Sequence, residues 1–176
     1  LARIALADFA TVTTVTLAAG EVGPQALVID AQYLYAGLDV TPGRIVRVAL
    51  SDFSTVSSLD LGTGEDAIQG MALAGTVIYV GTDTTPGKIV RVDTGSFTET
   101  DTLSLATGED SARSLLLSGS YLYVGLDMTP GRLAFIKLDS PMLQPVTGEG
   151  FSLLDESGDP ALSYNALDAL VLGSSV

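Results

Sequence analysis

The feature that most constrains this chain is an internal repeat with a period of 44 residues. The stretches GLDVTPGRIVRV at 37–48, GTDTTPGKIVRV at 81–92 and GLDMTPGRLAFI at 125–136 occupy equivalent positions, and four periods account for the 176 residues. A repeat of this length is typically one supersecondary unit, which buries its apolar faces only by packing against its neighbours. The chain is therefore counted in units, which together form a single domain.

Each unit reads as four short β-strands, labelled A to D. In the unit from 64 to 107 these are GMALA, VIYVGT, KIVRV and TDTLSL, which are rich in β-formers and bounded by Gly, Pro, Asp or Ser. Strand A is apolar at successive positions, as expected for an innermost strand covered on both faces. Strand D alternates polar and apolar residues, which indicates an outer edge exposed to water. No window has helical periodicity, so the pattern predicts an all-β protein.

The hairpin between strands B and C carries the repeated motif Gly-x-Asp-x-Thr-Pro-Gly. Its proline would fix φ at the first central position, and the next glycine would supply the positive φ of a type II turn. These pairs are Pro42-Gly43, Pro86-Gly87 and Pro130-Gly131. The aspartates of the motif are expected to accept hydrogen bonds from amides of their own loops. Turn chemistry alone would then explain the motif.

One four-stranded antiparallel sheet per 44 residues is typical of a β-propeller blade. The segments ALVIDAQYLYAGLDVTPGRIVRVAL and GMALAGTVIYVGTDTTPGKIVRVDT resemble repeats of the YVTN-like and NHL-like propeller families, over residues 1 to about 135. The A–B turns lack the Asn or Asp with Gly that is usual in NHL repeats, which favours the YVTN-like comparison. The resemblance implies a surface-layer-type propeller, in families that include binding modules and some enzymes.

The repeat divides the chain into three complete blades and one closing blade. The complete blades are predicted at 21–62, 65–106 and 109–154, and residues 1–20 read as strands C and D of the closing blade. Residues 155–176 are predicted to be an insertion and the closing strand A, because NALDALVLG matches SARSLLLSG at 111–119. Four repeats would form a four-bladed monomer, or half of an eight-bladed ring completed by a homodimer. A piece of a longer array is the third possibility.

Composition excludes several classes of function. The net charge of −13, from 8 basic and 21 acidic residues, repels polyanions such as nucleic acids. The lack of cysteine and histidine excludes thiol catalysis, sulfur-ligated metal centres, a Ser-His-Asp triad and the usual zinc ligands. No apolar run approaches the roughly 18 residues of a membrane helix. The expected partners are proteins, including a second copy of the chain, and divalent cations. Since the sequence begins at Leu1 inside a repeat, a processed or trimmed N-terminus is expected.

Two sets of acidic residues are predicted to meet at one rim of the propeller, because the D–A loops and the B–C loops lie on the same face. Oxygen ligands gathered there would suit calcium, which takes roughly 6 to 8 of them. The candidate calcium ligands are Asp39, Asp83, Asp127, Glu21, Glu65 and Glu109. The alternative is that each Asp closes its own turn and each Glu is solvated or pairs with an arginine. No other cofactor is expected.

Arginine recurs at one position of strand C, as Arg3, Arg47 and Arg91, and Phe135 replaces it in the third blade. A guanidinium between blades needs a partner, and the acidic residues of the rim loops are expected to pair with it. The unrepeated Arg113 is expected to be a solvated loop residue. The recurring tyrosines are predicted to pack between blades, and the recurring phenylalanines to cover the lower edge of each sheet. They are Tyr35, Tyr79, Tyr123, Phe9, Phe53 and Phe97.

Two functions of different classes fit these observations. The first is a non-enzymatic extracellular or cell-surface propeller that binds a protein partner or helps to build an assembly. The second is a carboxylate- or calcium-dependent hydrolase, lactonase-like or glycosidase-like, with its site in the last unit, where the repeat is broken. Its candidate residues are Glu149, Asp155, Glu156, Asp159, Tyr164 and Asn165. No catalytic residue is assigned, because their spacing follows no enzyme motif and a charged insertion that contains Pro and Gly is more often a surface loop.

Overall fold

The fold is known from a computed structural model, which describes residues 1–138. Within these residues the chain forms thirteen β-strands. They are β1 (Ala2–Ile4), β2 (Val12–Thr14), β3 (Pro24–Ile29), β4 (Tyr33–Leu38), β5 (Arg44–Ala49), β6 (Thr55–Asp60), β7 (Ile68–Ala74), β8 (Val77–Thr82), β9 (Lys88–Asp93), β10 (Thr98–Ser104), β11 (Ala112–Ser118), β12 (Tyr121–Leu126) and β13 (Arg132–Lys137). In this part of the chain no helix is long and apolar enough to cross a membrane.

The strands form four antiparallel sheets, and within each sheet neighbouring strands are consecutive in the chain. Blade 1 contains β3 to β6, blade 2 contains β7 to β10 and blade 3 contains β11 to β13, while β1 and β2 form an N-terminal hairpin. The predicted all-β class and the antiparallel sheets of three or four strands are therefore confirmed. The number of blades in a closed ring stays a prediction. The end of the predicted third blade and the predicted insertion and closing strand, residues 139–176, lie outside the described residues.

The sheets meet most closely at their first strands. Strand β7 packs against both β3 and β11, so these three strands lie side by side at one margin of the stack. The last strands, β6 and β10, lie at the opposite margin of their sheets. This arrangement agrees with the prediction that strand A is innermost and strand D outermost. Strand β7 therefore lies between the inner strands of two other sheets.

The core consists of layers between successive sheets. Buried side chains of blade 1 face buried side chains of blade 2, and a second layer joins blade 2 to blade 3. The first layer includes Tyr35, Ile45, Ile68, Ile78, Val80, Val90 and Phe97. The second includes Ala72, Tyr79, Ile89, Ala112, Leu122 and Val124. A third layer joins the N-terminal hairpin to blade 1 through Val46, Val48 and Phe53. Every unit therefore depends on its neighbour for burial, as the repeat length predicts.

The predicted type II turn between strands B and C is wrong. The Thr41–Pro42, Thr85–Pro86 and Thr129–Pro130 peptide bonds are cis, and the glycines that follow do not have positive φ. Gly43 is needed for a different reason. Its amide donates to the Glu65 carbonyl at 2.8 Å and its carbonyl accepts from the Leu61 amide at 2.8 Å. A Cβ at Gly43 would lie only 2.8 Å from the Glu65 carbonyl oxygen, so close approach to the next loop requires glycine.

The first glycine of the motif lies in strand B rather than in the turn, and the next blade packs directly on it. A Cβ at Gly37 would lie 2.6 Å from the Met71 sulfur. A Cβ at Gly81 would collide with the backbone carbonyl oxygen of Ala112 in blade 3. Close packing against the next blade therefore explains the recurrence of glycine in the motif, which the predicted type II turn does not.

The predicted pairing of the strand C arginines with rim carboxylates is wrong. The Arg47 guanidinium lies between two aromatic rings, with its Cζ 4.7 Å from the centroid of Tyr33 and 4.5 Å from that of Phe97 in the next blade. Arg3 stacks on Phe53 of blade 1 in the same way, at 4.9 Å. Arg91 reaches Asp101 of its own blade at 4.0 Å. A guanidinium is weakly hydrated and stacks well on aromatic faces, which lets it lie between blades without a carboxylate.

Tyr35 lies in the layer between blades 1 and 2, as predicted. Its ring centroid is 6.0 Å from that of Phe97, and its hydroxyl donates to Asp30 Oδ2 at 2.8 Å. Burial, together with this hydrogen bond to a carboxylate, raises the pKa of Tyr35 to about 12. The hydroxyl therefore stays protonated and continues to donate throughout the physiological pH range.

The contact at Gly81 predicts a strong effect of one methyl group. Gly81→Ala should lower the free energy of unfolding by about 1–3 kcal/mol, because the backbone of Ala112 cannot move aside without separating blades 2 and 3. The measurement is chemical denaturation of both proteins. Gly95→Ala is the matched control, since its Cβ would come no closer than 3.4 Å to Asp93 Oδ1 and should leave stability nearly unchanged. Equal effects of the two substitutions would contradict the packing described for Gly81.

Candidate functional site

The D–A loops and the B–C loops lie against each other along one edge of the sheets. The Gly43 amide donates to the Glu65 carbonyl and the Gly87 amide to the Glu109 carbonyl, both at 2.8 Å. The Asp83 amide donates to the Ala67 carbonyl at 2.9 Å and thereby ties the D–A loop to the second B–C loop. Both sets of acidic residues therefore lie on this edge, which we call the acidic loop edge. Its members are Asp39, Asp83, Asp127, Glu21, Glu65, Glu109, Asp66 and Asp110.

The glutamates of the edge close the turns that precede them. The Glu65 carboxylate accepts from the Gly62 amide at 2.9 Å, and the equivalent bonds are Ala18 to Glu21 at 2.9 Å and Ala106 to Glu109 at 3.1 Å. Each glutamate amide in turn donates to the carbonyl of the same residue three positions earlier. This reciprocal pair of hydrogen bonds holds the D–A loop in one shape in all three copies. The sequence suggests turn closure by the aspartates and solvated or arginine-paired glutamates, whereas here the glutamates close the turns.

The aspartates of the edge differ from the glutamates, because Arg113 joins two of them. Its Nε lies 2.6 Å from Asp127 Oδ2 and its Nη2 lies 3.8 Å from Asp83 Oδ2. Its Nη1 also donates to Gln69 Oε1 at 3.1 Å, and the Ser111 hydroxyl donates to Asp83. The expectation that Arg113 is a solvated loop residue is wrong, since it belongs to β11 and pairs with acids of two blades. Asp39, which has no arginine at the equivalent position, is exposed.

The acidic loop edge brings the predicted calcium ligands to one side of the sheets without gathering them around a point. Among residues 1–138, no three acidic side chains lie close enough together to hold a metal ion. The Arg113 guanidinium occupies the space between Asp83 and Asp127 where a cation would have to lie. The calcium hypothesis stays a prediction.

Calcium binding at this edge should be visible as thermal stabilisation. If the six candidate ligands bind the ion, melting curves should shift to higher temperature with added calcium and return with a chelator, because a ligand of the native state stabilises it. Arg113→Gln is the informative companion variant, since it frees two carboxylates and should enlarge the shift. Superimposable curves with calcium and with chelator, in both proteins, would contradict the hypothesis.

A pair of carboxyl groups that the sequence did not suggest lies behind the edge. Glu65 is 5% exposed, and Glu99 of β10 lies beside it. The two groups share donors, since the Gly62 amide lies 2.9 Å from Glu65 Oε2 and 3.0 Å from Glu99 Oε2. The Thr102 hydroxyl lies 2.6 Å from Glu65 Oε1 and 3.1 Å from Glu99 Oε1. Because that hydroxyl has one hydrogen, it cannot donate fully to both carboxylates.

Burial raises the pKa of Glu99, and the negative charge and hydrogen bond of Glu65 raise it further. Two carboxylates this close are stabilised when they share one proton, as in other coupled carboxyl pairs. Lys88 is the nearby base, with its Nζ 3.6 Å from the position of a Cβ on Gly64. It forms no ion pair within 4.0 Å of either carboxylate. The pair therefore carries an electrostatic cost when both groups are ionised.

Glu99 and Arg113 were missed or undervalued because neither is repeated. The position equivalent to Glu99 in blade 1 is Thr55, and the positions equivalent to Arg113 are Gln25 and Gln69. A charged residue at a position that is uncharged in the other units was the sequence feature that could have identified them. The candidate hydrolase residues of the last unit, 149–165, lie outside the described residues, so that alternative stays a prediction.

The carboxyl pair predicts an unusual dependence of stability on pH. The pKa of Glu99 is raised in the folded protein, so the folded state binds a proton more tightly than the unfolded state. The contribution of Glu99 to the free energy of unfolding should therefore be fully present below the ordinary glutamate pKa, and it should be lost as pH rises through the raised pKa of Glu99. Glu99→Gln removes the second charge, so it should raise the melting temperature at neutral pH and lose this advantage as pH falls toward 4.5, the ordinary value.

The control for this prediction is Glu21→Gln. Glu21 stands at the repeat position of Glu65, and the residue at the repeat position of Glu99 in that unit is Thr55 rather than a glutamate. It should show no gain at neutral pH. Melting temperatures measured for the three proteins across the pH range decide the matter. A wild-type and a Glu99→Gln profile that run parallel would overturn the description of the pair.

Comparisons with known proteins show which solved structures have a similar fold. No protein-family model matches the chain, and no curated protein matches it. Among solved structures the chain is similar to hydrazine synthase from Kuenenia stuttgartiensis, at 19% identity with a TM-score of 0.57, over 65% of this chain and 34% of that one. It is also similar to U3-55K, at 12% identity with a TM-score of 0.57, over 77% of this chain and 45% of that one.

A third similar structure is the β-propeller domain of Cps50 (Swd1) from Myceliophteria thermophila, at 12% identity with a TM-score of 0.55, over 74% of this chain and 39% of that one. The chain thus spans less than half the length of each of these three proteins. At these identities the likeness concerns the fold alone. Together with the four antiparallel sheets and their inner strands packed side by side, it establishes a propeller-type fold.

Proposed function

We propose that this chain is a non-enzymatic, extracellular or cell-surface scaffold of the propeller type, whose acidic loop edge binds a basic surface of a protein partner. The observation that carries the proposal is the construction of that edge, where backbone hydrogen bonds between blades hold a row of exposed carboxylates in fixed positions. The location outside the cell is part of the proposal and draws on the resemblance to surface-layer-type repeats.

The edge is rigid for a physical reason. Its loops are hydrogen-bonded across blades at Gly43 with Glu65 and at Gly87 with Glu109, and each glutamate closes its own turn. Residues held in one conformation lose little conformational entropy when a partner docks. Propeller folds place loops of several blades on one face, which makes such a face a general binding platform.

Charge determines the kind of partner. Asp39, Asp83 and Asp127 are exposed on the edge, and the chain as a whole carries a net charge of −13. A surface with one sign of charge attracts a partner of the opposite sign and accelerates the encounter. Arg113 neutralises part of the charge near blade 3, whereas Asp39 has no arginine at the equivalent position. The loops of Asp39 and Asp66 are joined by the Ala67 amide, which donates to the Val40 carbonyl at 2.9 Å, so these two aspartates are the expected contacts of the partner.

A lysine-rich peptide is a suitable probe of this edge. Its binding to the full chain should weaken as salt is added, since the contact is between exposed charges. The double variant Asp39→Asn/Asp66→Asn should weaken binding several-fold at low salt. Isothermal titration or fluorescence anisotropy measures the dissociation constant.

The matched control is Asp8→Asn/Asp52→Asn, which removes the same charge from C–D turns at the opposite edge of the sheets. It should leave binding of the lysine-rich peptide close to wild type. If both double variants weaken binding equally, only the net charge of the protein matters, and the proposed site is wrong.

A further inference from the structure

The face of each blade is normally covered by the next blade, and the structure shows this interface twice. The Tyr35 face of blade 1 is buried by blade 2, and the Tyr79 face of blade 2 is buried by blade 3. Between blades 1 and 2 the key contact is a phenylalanine from the C–D turn of the following blade. Phe97 inserts between Tyr35 and Arg47, with centroid distances of 6.0 Å to the Tyr35 ring and 4.5 Å to the Arg47 Cζ.

The N-terminal hairpin offers the same phenylalanine with nothing to receive it among residues 1–138. Phe9 is 76% exposed, whereas Phe53 and Phe97 at the equivalent positions are 5% and 8% exposed. All three have the left-handed backbone conformation, with φ of 50°, 56° and 53°. That conformation is unfavourable for a bulky residue, so it is found where tertiary contacts of the side chain offset its conformational cost. Ile4 and Val12 on the same hairpin are also exposed.

Blade 3 presents the matching receptor surface, also uncovered by any part of 1–138. Tyr123 and Leu133 are the counterparts of Tyr79 and Ile89, which are buried, yet Leu133 is 85% exposed and Tyr123 is 43% exposed. Phe135 stands at the position of Arg47 and Arg91, and Tyr123 lies between it and Leu116, since Tyr123 pairs with Leu116 of β11 and with Phe135 of β13. Tyr121 packs against Phe135 at 6.2 Å and against Tyr123 at 6.4 Å, so the aromatic surface is already assembled.

We propose that this surface of β11–β13 binds the N-terminal hairpin of a second copy of the chain, head to tail, with Phe9 of one copy seated between Tyr123 and Phe135 of the other. The contact continues an interface already present twice within each molecule. Residues 1–138 of one molecule leave both halves exposed, and two copies can satisfy both pairs reciprocally. The assembly uses blade faces and leaves the acidic loop edge accessible.

The replacement of arginine by Phe135 fits this role. Within the chain, a guanidinium receives the phenylalanine of the next blade at Arg3 with Phe53 and at Arg47 with Phe97. At the interface between copies the receiving residue is aromatic, so the contact becomes a cluster of three rings from Tyr123, Phe135 and the incoming Phe9. Aromatic pairs of this kind add stabilisation beyond their buried area.

The test is the mass of the full chain in solution, by light scattering and native mass spectrometry over a range of concentrations. A dimer is expected. Phe9→Asn suits the left-handed backbone at that position and should raise the dissociation constant roughly 10- to 100-fold, as expected for loss of an anchoring aromatic. Phe135→Glu should have a similar effect. Circular dichroism checks that both variants fold.

Phe135→Arg distinguishes this specific contact from non-specific association through exposed apolar side chains. It restores the residue present at Arg47, which stacks on Phe97, so dimerisation should persist although an exposed apolar side chain has been replaced by a charge. Val22→Asp is the control outside the interface, since the repeat carries Asp66 and Asp110 at that position, and it should leave the mass unchanged.

Three results would overturn the proposal. The first is a monomer at every concentration, which is also the outcome if another part of the same chain covers blade 3. The second is an unchanged dissociation constant for Phe9→Asn. The third is loss of the dimer in Phe135→Arg to the same degree as in Phe135→Glu. Binding of the lysine-rich peptide by Phe135→Glu shows separately whether the acidic loop edge functions, so the two proposals fail independently.

Discussion

The structure depends on the burial of one sheet by the next. Within residues 1–138 no blade has a core of its own, because the buried residues lie in layers between sheets rather than within them. The distance between sheets is set where the second strand of one sheet meets the inner strand of the next, at Gly37 against Met71 and at Gly81 against Ala112. Cation–π stacking of Arg47 on Phe97 then fixes the lateral position of one blade on the next. Because the sheets are packed in fixed positions, the loops that connect their strands are fixed as well.

The acidic loop edge combines repeated and unrepeated residues, and the two kinds do different work. The glutamates at 21, 65 and 109 are repeated and shape the loops through the same pair of hydrogen bonds. Arg113 and Glu99 are not repeated, and each alters the charge of one place only. Arg113 adds a positive charge between two aspartates, while Glu99 adds a second carboxyl to a buried one. The loops of the edge therefore have the same shape in each unit, whereas the charge differs from one unit to the next.

Much of the architecture could be predicted from the period and from local patterns. Four short apolar runs per repeat were enough to place the strands, and the apolar run of strand A was enough to place it innermost. The type II turn was predicted wrongly because a Thr-Pro-Gly sequence does not reveal a cis peptide bond or the approach of a neighbouring loop to Gly43. The partner of Arg47 was also predicted wrongly, because Phe97 is 50 residues away and an aromatic ring competes with a carboxylate for a guanidinium. Contacts of unrepeated residues, such as Glu99 with Glu65, leave no periodic trace.

Near-identical units create a hazard during folding, since a strand from one unit can pair with the wrong neighbour and produce exchanged or shifted arrangements. Arg113 contacts acids of two particular blades and Gln69, a combination that no other pair of adjacent units can reproduce in residues 1–138. These contacts stabilise the native arrangement of blades 2 and 3, and an exchanged arrangement would lose them. A single irregular side chain in an otherwise periodic protein thus favours one order of equivalent units over the alternatives.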